Sequence, residues 1–300
     1  MGRKRKGHKI DGWVNVYKPA GMGSTDVVRT LKRAFRPQKI GHAGTLDPLA
    51  YGVLPIAFGE ATKTIPFAQD HLKTYGFDLV MGEERSTDDA EGDVTKTSDI
   101  RPSRQEIQSA LPAFTGEIEQ TPPLFSAIKI NGQRAYDLAR AGEDIEMKSR
   151  QVFIESIVFS AYTPDSSSFI CTCGKGTYIR SLGRDIARKT NTCGHITHLE
   201  RLSVGPFTAQ DATPLEKILE LQEKMGDSAA LKEILQPLHI VLDDIPALIV
   251  TEDDVRKLRQ GQKLTAPFTF KGSPVDTAQT ALTFANDQAI ALVKLENEEA

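Results

Sequence analysis

TYGFDLVM, residues Thr74–Met81, alternates without interruption: Tyr75, Phe77, Leu79 and Met81 fall on one side, Thr74, Gly76 and Asp78 on the other. A period of two over this length is a strand with one buried face, so Tyr75 belongs to an apolar surface. Working outward, Gly12–Tyr17, Ile128–Ile130, Val152–Tyr162 and Phe169–Cys173 read as further strands. Between them the period becomes helical. Asp26–Phe35 places Val27, Val28, Leu31, Ala34 and Phe35 on one face, with Ser24 or Thr25 as the cap. Ser103 and Glu106 spell a capping box, behind which Ile107, Leu111 and Phe114 continue a stripe that Gly116 ends. Gln133–Ala141 is a short helix stopped by Gly142. Thr177–Thr190 gives a buried row of Tyr178, Leu182 and Ile186, while Arg180, Arg184 and Arg188 recur every fourth residue on one face, where a solvated or phosphate-contacting role suits them. Strands interleaved with helices, many joined by short links, predict an α+β fold: a mixed, mostly antiparallel sheet with flanking helices.

Helices at Leu215–Met225 and up to Leu235 follow, and Pro237 with the DDIP of residues 243–246 marks a boundary near residue 240. Beyond it Thr251 caps a short helix ending at Gly261, and Thr280–Ala285 and Ala289–Leu295 pair about Asn286-Asp287. The expected organisation is a basic, disordered tail at 1–10, a main domain at 11–240 and a small β-rich domain at 241–300. The acidic tail of that last domain, Glu296, Glu298 and Glu299, gives no electrostatic support for binding nucleic acid.

The 300 residues, 39% hydrophobic and 26% charged, are an ordinary globular composition without any apolar run of membrane-spanning length, and a cytoplasmic location is expected. Cys171, Cys173 and Cys193 are odd in number and suit free thiols in a reducing compartment. Zinc is not expected at Cys171, Cys173, Cys193 and His195, because one-residue spacing in a strand leaves no chelate loop. The net charge of −3 conceals an uneven distribution. Residues 1–63 carry twelve Lys or Arg against four Asp or Glu, a net of +8. A basic field of this kind suits a polyanionic partner.

Inside that segment lies GHAGTLDPLA, residues 41–50, where Asp47 is the only acid between Asp26 and Glu60. Gly41 and Gly44 allow backbone angles closed to other residues, and Pro48 restricts Asp47 toward extended geometry. The loop holds one carboxylate in place, either as a turn and helix cap or as a reactive group.

KPAGMGS from Lys18, GHAGTLDPLA from Gly41, GEATK from Gly59, KTYGFDL from Lys73, QTPPLFSAIKING from Gln120, CGKGTYIRSLGRDIA from Cys173 and HLERLSVGPF from His198 stand in one order over residues 13–207. In these the chain resembles the TruB-type bacterial tRNA pseudouridine-55 synthases. The resemblance implies the pseudouridine synthase fold, a catalytic domain at 11–240 and a C-terminal domain that is a candidate RNA-binding module of the PUA type. It implies that uridine 55 in the T-loop of tRNA is flipped out and isomerised with no metal or cofactor, through attack by Asp47 on either the sugar C1′ or the uracil C6. Arg180 matches the arginine that pairs with that aspartate, Tyr75 the tyrosine against the base, and Leu199 an apolar residue of the base pocket. His42 matches a histidine suited to filling the space a flipped base leaves. Lys18 and Lys63 fall in motifs near the site as phosphate-contacting or loop-stabilising residues, and Asp89 matches an acid of unassigned task. The partner implied is the tRNA T-arm, with a monomer, no protein partner and no membrane. Tyr51, Phe125, Arg85 and Ser86 depart from the family wording without removing a catalytic group. Two other classes stay in view. A retaining glycosidase also uses an aspartate nucleophile but needs a second acid nearby, and a non-enzymatic tRNA binder needs the basic surface without the Asp.

Overall fold

A computed structural model of the chain describes residues 7–130, 132–143, 145–265, 269–271, 280–286 and 288–295. It divides into two compact units, Met1–Gln236 and Pro237–Ala300. Arg3, Lys4, Arg5 and Lys6 of the basic tail, Asp287 of the hairpin turn, and Glu296, Glu298 and Glu299 lie outside the described residues.

The first unit is organised on an eleven-stranded sheet. Its main path runs Thr213–Pro214, Gly12–Lys18, Tyr51–Phe58, Gly194–Val204, Lys73–Met81, Ser166–Cys173, Arg150–Tyr162, Gly116–Gln120. Along this path, among the described residues, the pairings of Gly12–Lys18 with Thr213–Pro214 and of Gly194–Val204 with Tyr51–Phe58 are parallel and the others antiparallel. The sheet is therefore mixed and mostly antiparallel, as the alternating strands foretell. Phe77, Leu79 and Met81 are buried with Phe169, Cys171 and Cys173 of the neighbouring strand, and Val27, Leu31 and Phe35 of the helix Ser24–Phe35 join the same core. Leu182 and Ile186 of the helix Ile179–Lys189 belong to it too.

Several local expectations are corrected by tertiary contacts. Gly23, not Ser24 or Thr25, is the cap of the first helix, with its N–H donating to the Asp26 carboxylate at 3.3 Å. The Ser103 helix ends at Ala110 and tightens into a 3-10 turn, Leu111–Phe114, so Gly116 opens a strand instead of closing a helix. Tyr178 lies one residue outside its helix, at the cap. Tyr51–Phe58, unanticipated, is a strand that is buried along almost its whole length. Its Pro55 cannot donate to a ladder. It sits where the strand changes partner, from Glu200 and Arg201 beside Tyr51 and Gly52 to Ile40–His42 beside Ile56–Phe58.

The second unit has a four-stranded sheet ordered Thr269–Lys271, Ala247–Ile249, Thr280–Ala285, Gln288–Lys294. The helix Glu252–Arg259 is capped by Thr251, whose Oγ accepts from the Asp254 N–H at 3.2 Å. Leu248, Val255, Ala281 and Val293 are in its own core. Among the described residues no helix is long and apolar enough to cross a membrane.

Candidate active site

Asp47 stands between the strands Ile40–His42 and Tyr51–Phe58, and the segment that follows the strand Gly12–Lys18 grips both of its neighbours. Ser24 Oγ donates to the Leu46 carbonyl at 3.0 Å and accepts from the Leu46 N–H at 2.7 Å. On the other side the Gly21 N–H donates to the Pro48 carbonyl at 2.8 Å. At the end of that strand Lys18 is wholly buried and donates its ammonium to the carbonyls of Pro19 and Met22. Burial pulls this amine down to about 8, with the Asp47 charge acting the other way. Of the two roles expected for Lys18, phosphate contact or loop stabilisation, its burial and these bonds fit the second.

Arg180 lies in the first turn of the helix Ile179–Lys189, its side chain 5% exposed. Its Nε donates to Asp47 Oδ2 at 2.9 Å, and its two Nη groups donate to the carbonyls of Thr87 at 2.8 Å and Phe125 at 3.0 Å. These bonds fix the guanidinium on three sides. Asp89 Oδ2 is 3.5 Å from the same Nε, and Asp89 is itself held by Thr87 Oγ1 and the Glu91 N–H. A buried guanidinium held on three sides orients Asp47 through a charge-assisted hydrogen bond. Arg184 is not a solvated companion of Arg180, whereas the Arg188 side chain is exposed as expected. Arg184 is buried against Asp88 at 2.8 Å and Asp185 at 2.9 Å, and Arg188 forms a two-pronged pair with Glu84. The helix turns each arginine toward a different acid.

Asp47, Tyr75, Arg180 and Leu199 line one cavity of about 570 Å³. That is the range of small-ligand clefts. Leu199 is buried, and Tyr75 packs against the core. Burial pushes the Tyr75 phenol up while the Arg201 guanidinium opposes it. A phenol held protonated is a surface for a ring to lie on, not a base at neutral pH. Arg201, which the sequence reading passed over, lines the same cavity and is fully buried. It donates to the Val53 carbonyl at 2.7 Å and to the Gly44 carbonyl at 3.1 Å, tying down the loop that carries Asp47. The available signal was its spacing of two from Leu199, which puts both on one strand face.

His42 and Lys63 are not among the residues of the cavity wall. His42 ends a strand with its Nδ1 buried and lacking a hydrogen-bond partner, and burial, with Arg201 adding to it, keeps the imidazole below its usual range. Lys63 is exposed and pairs with Glu60. The thiols of Cys171, Cys173 and Cys193 are buried, Cys193 reaches the Lys96 carbonyl, and His195 Nδ1 is 2.7 Å from the Glu83 carbonyl.

Residues 32–179 match the family described as TruB family pseudouridylate synthase (N terminal domain), and residues 180–243 the tRNA pseudouridylate synthase B C-terminal domain. The chain is 45% identical over 299 residues to the tRNA pseudouridine synthase B of Rhodospirillum rubrum, covering 98% of this chain and 96% of the relative. It is 50% identical over 261 residues to that of Bradyrhizobium diazoefficiens, covering 86% and 76% respectively. A solved Cbf5-Nop10-Gar1 complex contains a chain of the same fold, with a TM-score of 0.73 at 24% identity over 94% of this chain and 78% of that one. Identity of this extent along nearly the whole length places the chain in the TruB family of pseudouridylate synthases, isomerases that the relatives' names connect with tRNA.

Proposed function

We propose that this enzyme converts uridine 55 in the T-loop of tRNA to pseudouridine, with Asp47 as the nucleophile. The observation that carries the reading is the Asp47 carboxylate, 2.9 Å from the buried Arg180 guanidinium and opening onto a cavity with Tyr75 and Leu199 on its wall. Five cationic side chains, Lys73, Arg150, Lys175, Arg180 and Arg201, line that cavity against two carboxylates, Asp47 and Asp70. A polyanion that delivers one base fits this balance. The substrate class follows the relatives' shared name, tRNA pseudouridine synthase B.

In the reaction the N1–C1′ bond of uridine breaks, a C5–C1′ bond forms, C5 loses its proton and N1 gains one. Asp47 holds a fragment covalently, at C1′ or C6, while uracil turns. Arg180 keeps the carboxylate aimed, Tyr75 lies against the ring, and Leu199 shapes the pocket. His42, neutral at the end of its strand, fills the stack that the flipped base leaves, and Lys63 meets the RNA backbone. The enzyme acts as a cytoplasmic monomer on the T-arm.

Release of tritium from tRNA labelled at uridine C5 tests the assignment. Wild type releases label, and Asp47→Asn loses at least about 10³-fold in rate while still binding tRNA, as removal of a nucleophile requires. Equal release by the variant overturns the role of Asp47. Conversion of an isolated T-arm fragment supports recognition there, and a strict need for the whole tRNA counts against it.

A further inference from the structure

The cavity extends past the Asp47 end to a wall made by Arg150 and the segment Gly174–Tyr178. The Arg150 guanidinium carbon lies 5.1 Å from the centre of the Tyr178 ring, and one Nη donates to the Gly176 carbonyl. Gly176 has φ of +84°, a conformation that glycine adopts without strain. The Nε of Arg150 is buried, and the described residues offer it no acceptor. Part of this guanidinium's donor set is thus unused by the described residues.

The mount is rigid. Arg150 and Gln120 are partners across neighbouring strands, and the buried Gln120 clasps the Tyr178 backbone, accepting from its N–H at 2.8 Å and donating to its carbonyl at 3.1 Å. Ring and guanidinium are thus held by one strand pair. Nearby, Lys175 pairs with Asp70 at 2.6 Å through two exposed side chains, a contact weak enough to exchange. Lys73 adds a buried cation, held by the carbonyls of Gln69 and His71.

We infer that Arg150, stacked on Tyr178 in the cavity wall, is a second subsite whose guanidinium binds the phosphodiester adjoining the uridine held over Asp47. The inference rests on the proposed RNA substrate. An arginine fixed on an aromatic face presents a planar donor set to phosphate in a way a lysine does not.

The test uses the full chain with a T-arm RNA and with the same RNA carrying one uncharged methylphosphonate, either 5′ or 3′ of the target uridine. One of the two replacements is expected to raise the wild-type KM about 10- to 100-fold at nearly unchanged kcat, the range of one charge-assisted hydrogen bond. Arg150→Met raises KM for the unmodified RNA by a similar factor, and variant and methylphosphonate together add little to either alone. Arg150→Lys recovers only part. Wild-type indifference to both methylphosphonates overturns the subsite without any variant, and so do effects of variant and replacement that simply multiply. Failure of the RNA reading itself is distinct, since wild type then releases no tritium from the unmodified RNA.

Discussion

Ser24 has a single hydroxyl, and both of its hydrogen bonds go to Leu46, the residue before Asp47. Ser24→Ala leaves the buried Leu46 amide without its partner, which lowers stability by about 1–3 kcal/mol. Denaturant titration reads that loss. Because the carboxylate is then less well placed, kcat falls on the order of tenfold with little change in KM. An unchanged kcat with reduced stability would make the clasp structural only. The isolation of Asp47 among Gly, Thr, Leu and Pro is legible in the chain, and so is the alternation that puts Tyr75 on an apolar face. Ser24 reads as a helix cap because serine beside a helical stripe commonly is one. Its actual partner lies 22 residues away. Arg201 was passed over because a charged residue in a strand reads as solvent-facing, and only the fold shows three backbone carbonyls closing around it.

At the scale of elements, what depends on near neighbours is readable and what depends on distant ones is not. The capping box at Ser103 and the cap at Thr251 form as expected, since their bonds span three residues. The strand Tyr51–Phe58 has a continuous apolar run with a proline inside it, and neither period identifies it. Its position is fixed by close backbone approach. Gly52 has φ of +101°, and a Cβ there would lie 2.3 Å from the Arg201 carbonyl oxygen. Gly52→Ala therefore strains the turn and forces apart two strands of the site. A loss of at least about 1–3 kcal/mol is expected, read as a lowered thermal midpoint together with reduced activity. Gly76→Ala is the control, with no unusual φ and its nearest atom, Leu202 Cδ1, at 3.7 Å. A Gly52 variant as stable as the Gly76 one would show that the strands tolerate separation.

For the whole molecule, pH acts through buried groups of opposite sign. Burial keeps His42 below its usual imidazole range, so its unfolded form takes up a proton near pH 6.5 that the native form refuses. Stability from His42 is present above that pH and lost as pH falls, with a slope of up to about 1.4 kcal/mol per pH unit. Asp88 is raised to about 6 by burial, against the pull of Arg184. Its native form protonates first, which favours folding as pH falls from about 6 toward the ordinary carboxylate range. Comparing wild type with His42→Asn between pH 7 and 5 isolates the first effect. The variant should show the flatter loss of stability, and parallel curves would place the titration elsewhere.

The reacting loop near residue 47 is emitted early by the ribosome, but the guanidinium that orients it belongs to Arg180 and the one that ties its carbonyls to Arg201, separations of 133 and up to 157 residues. At ordinary elongation rates the first of these gaps is on the order of ten seconds of synthesis. Throughout that interval the nascent chain carries the proposed nucleophile, Asp47, without the groups that hold it. A polypeptide released before residue 201 holds Asp47 and Tyr75 yet is catalytically blank, so competence arrives in one late step rather than growing with the chain.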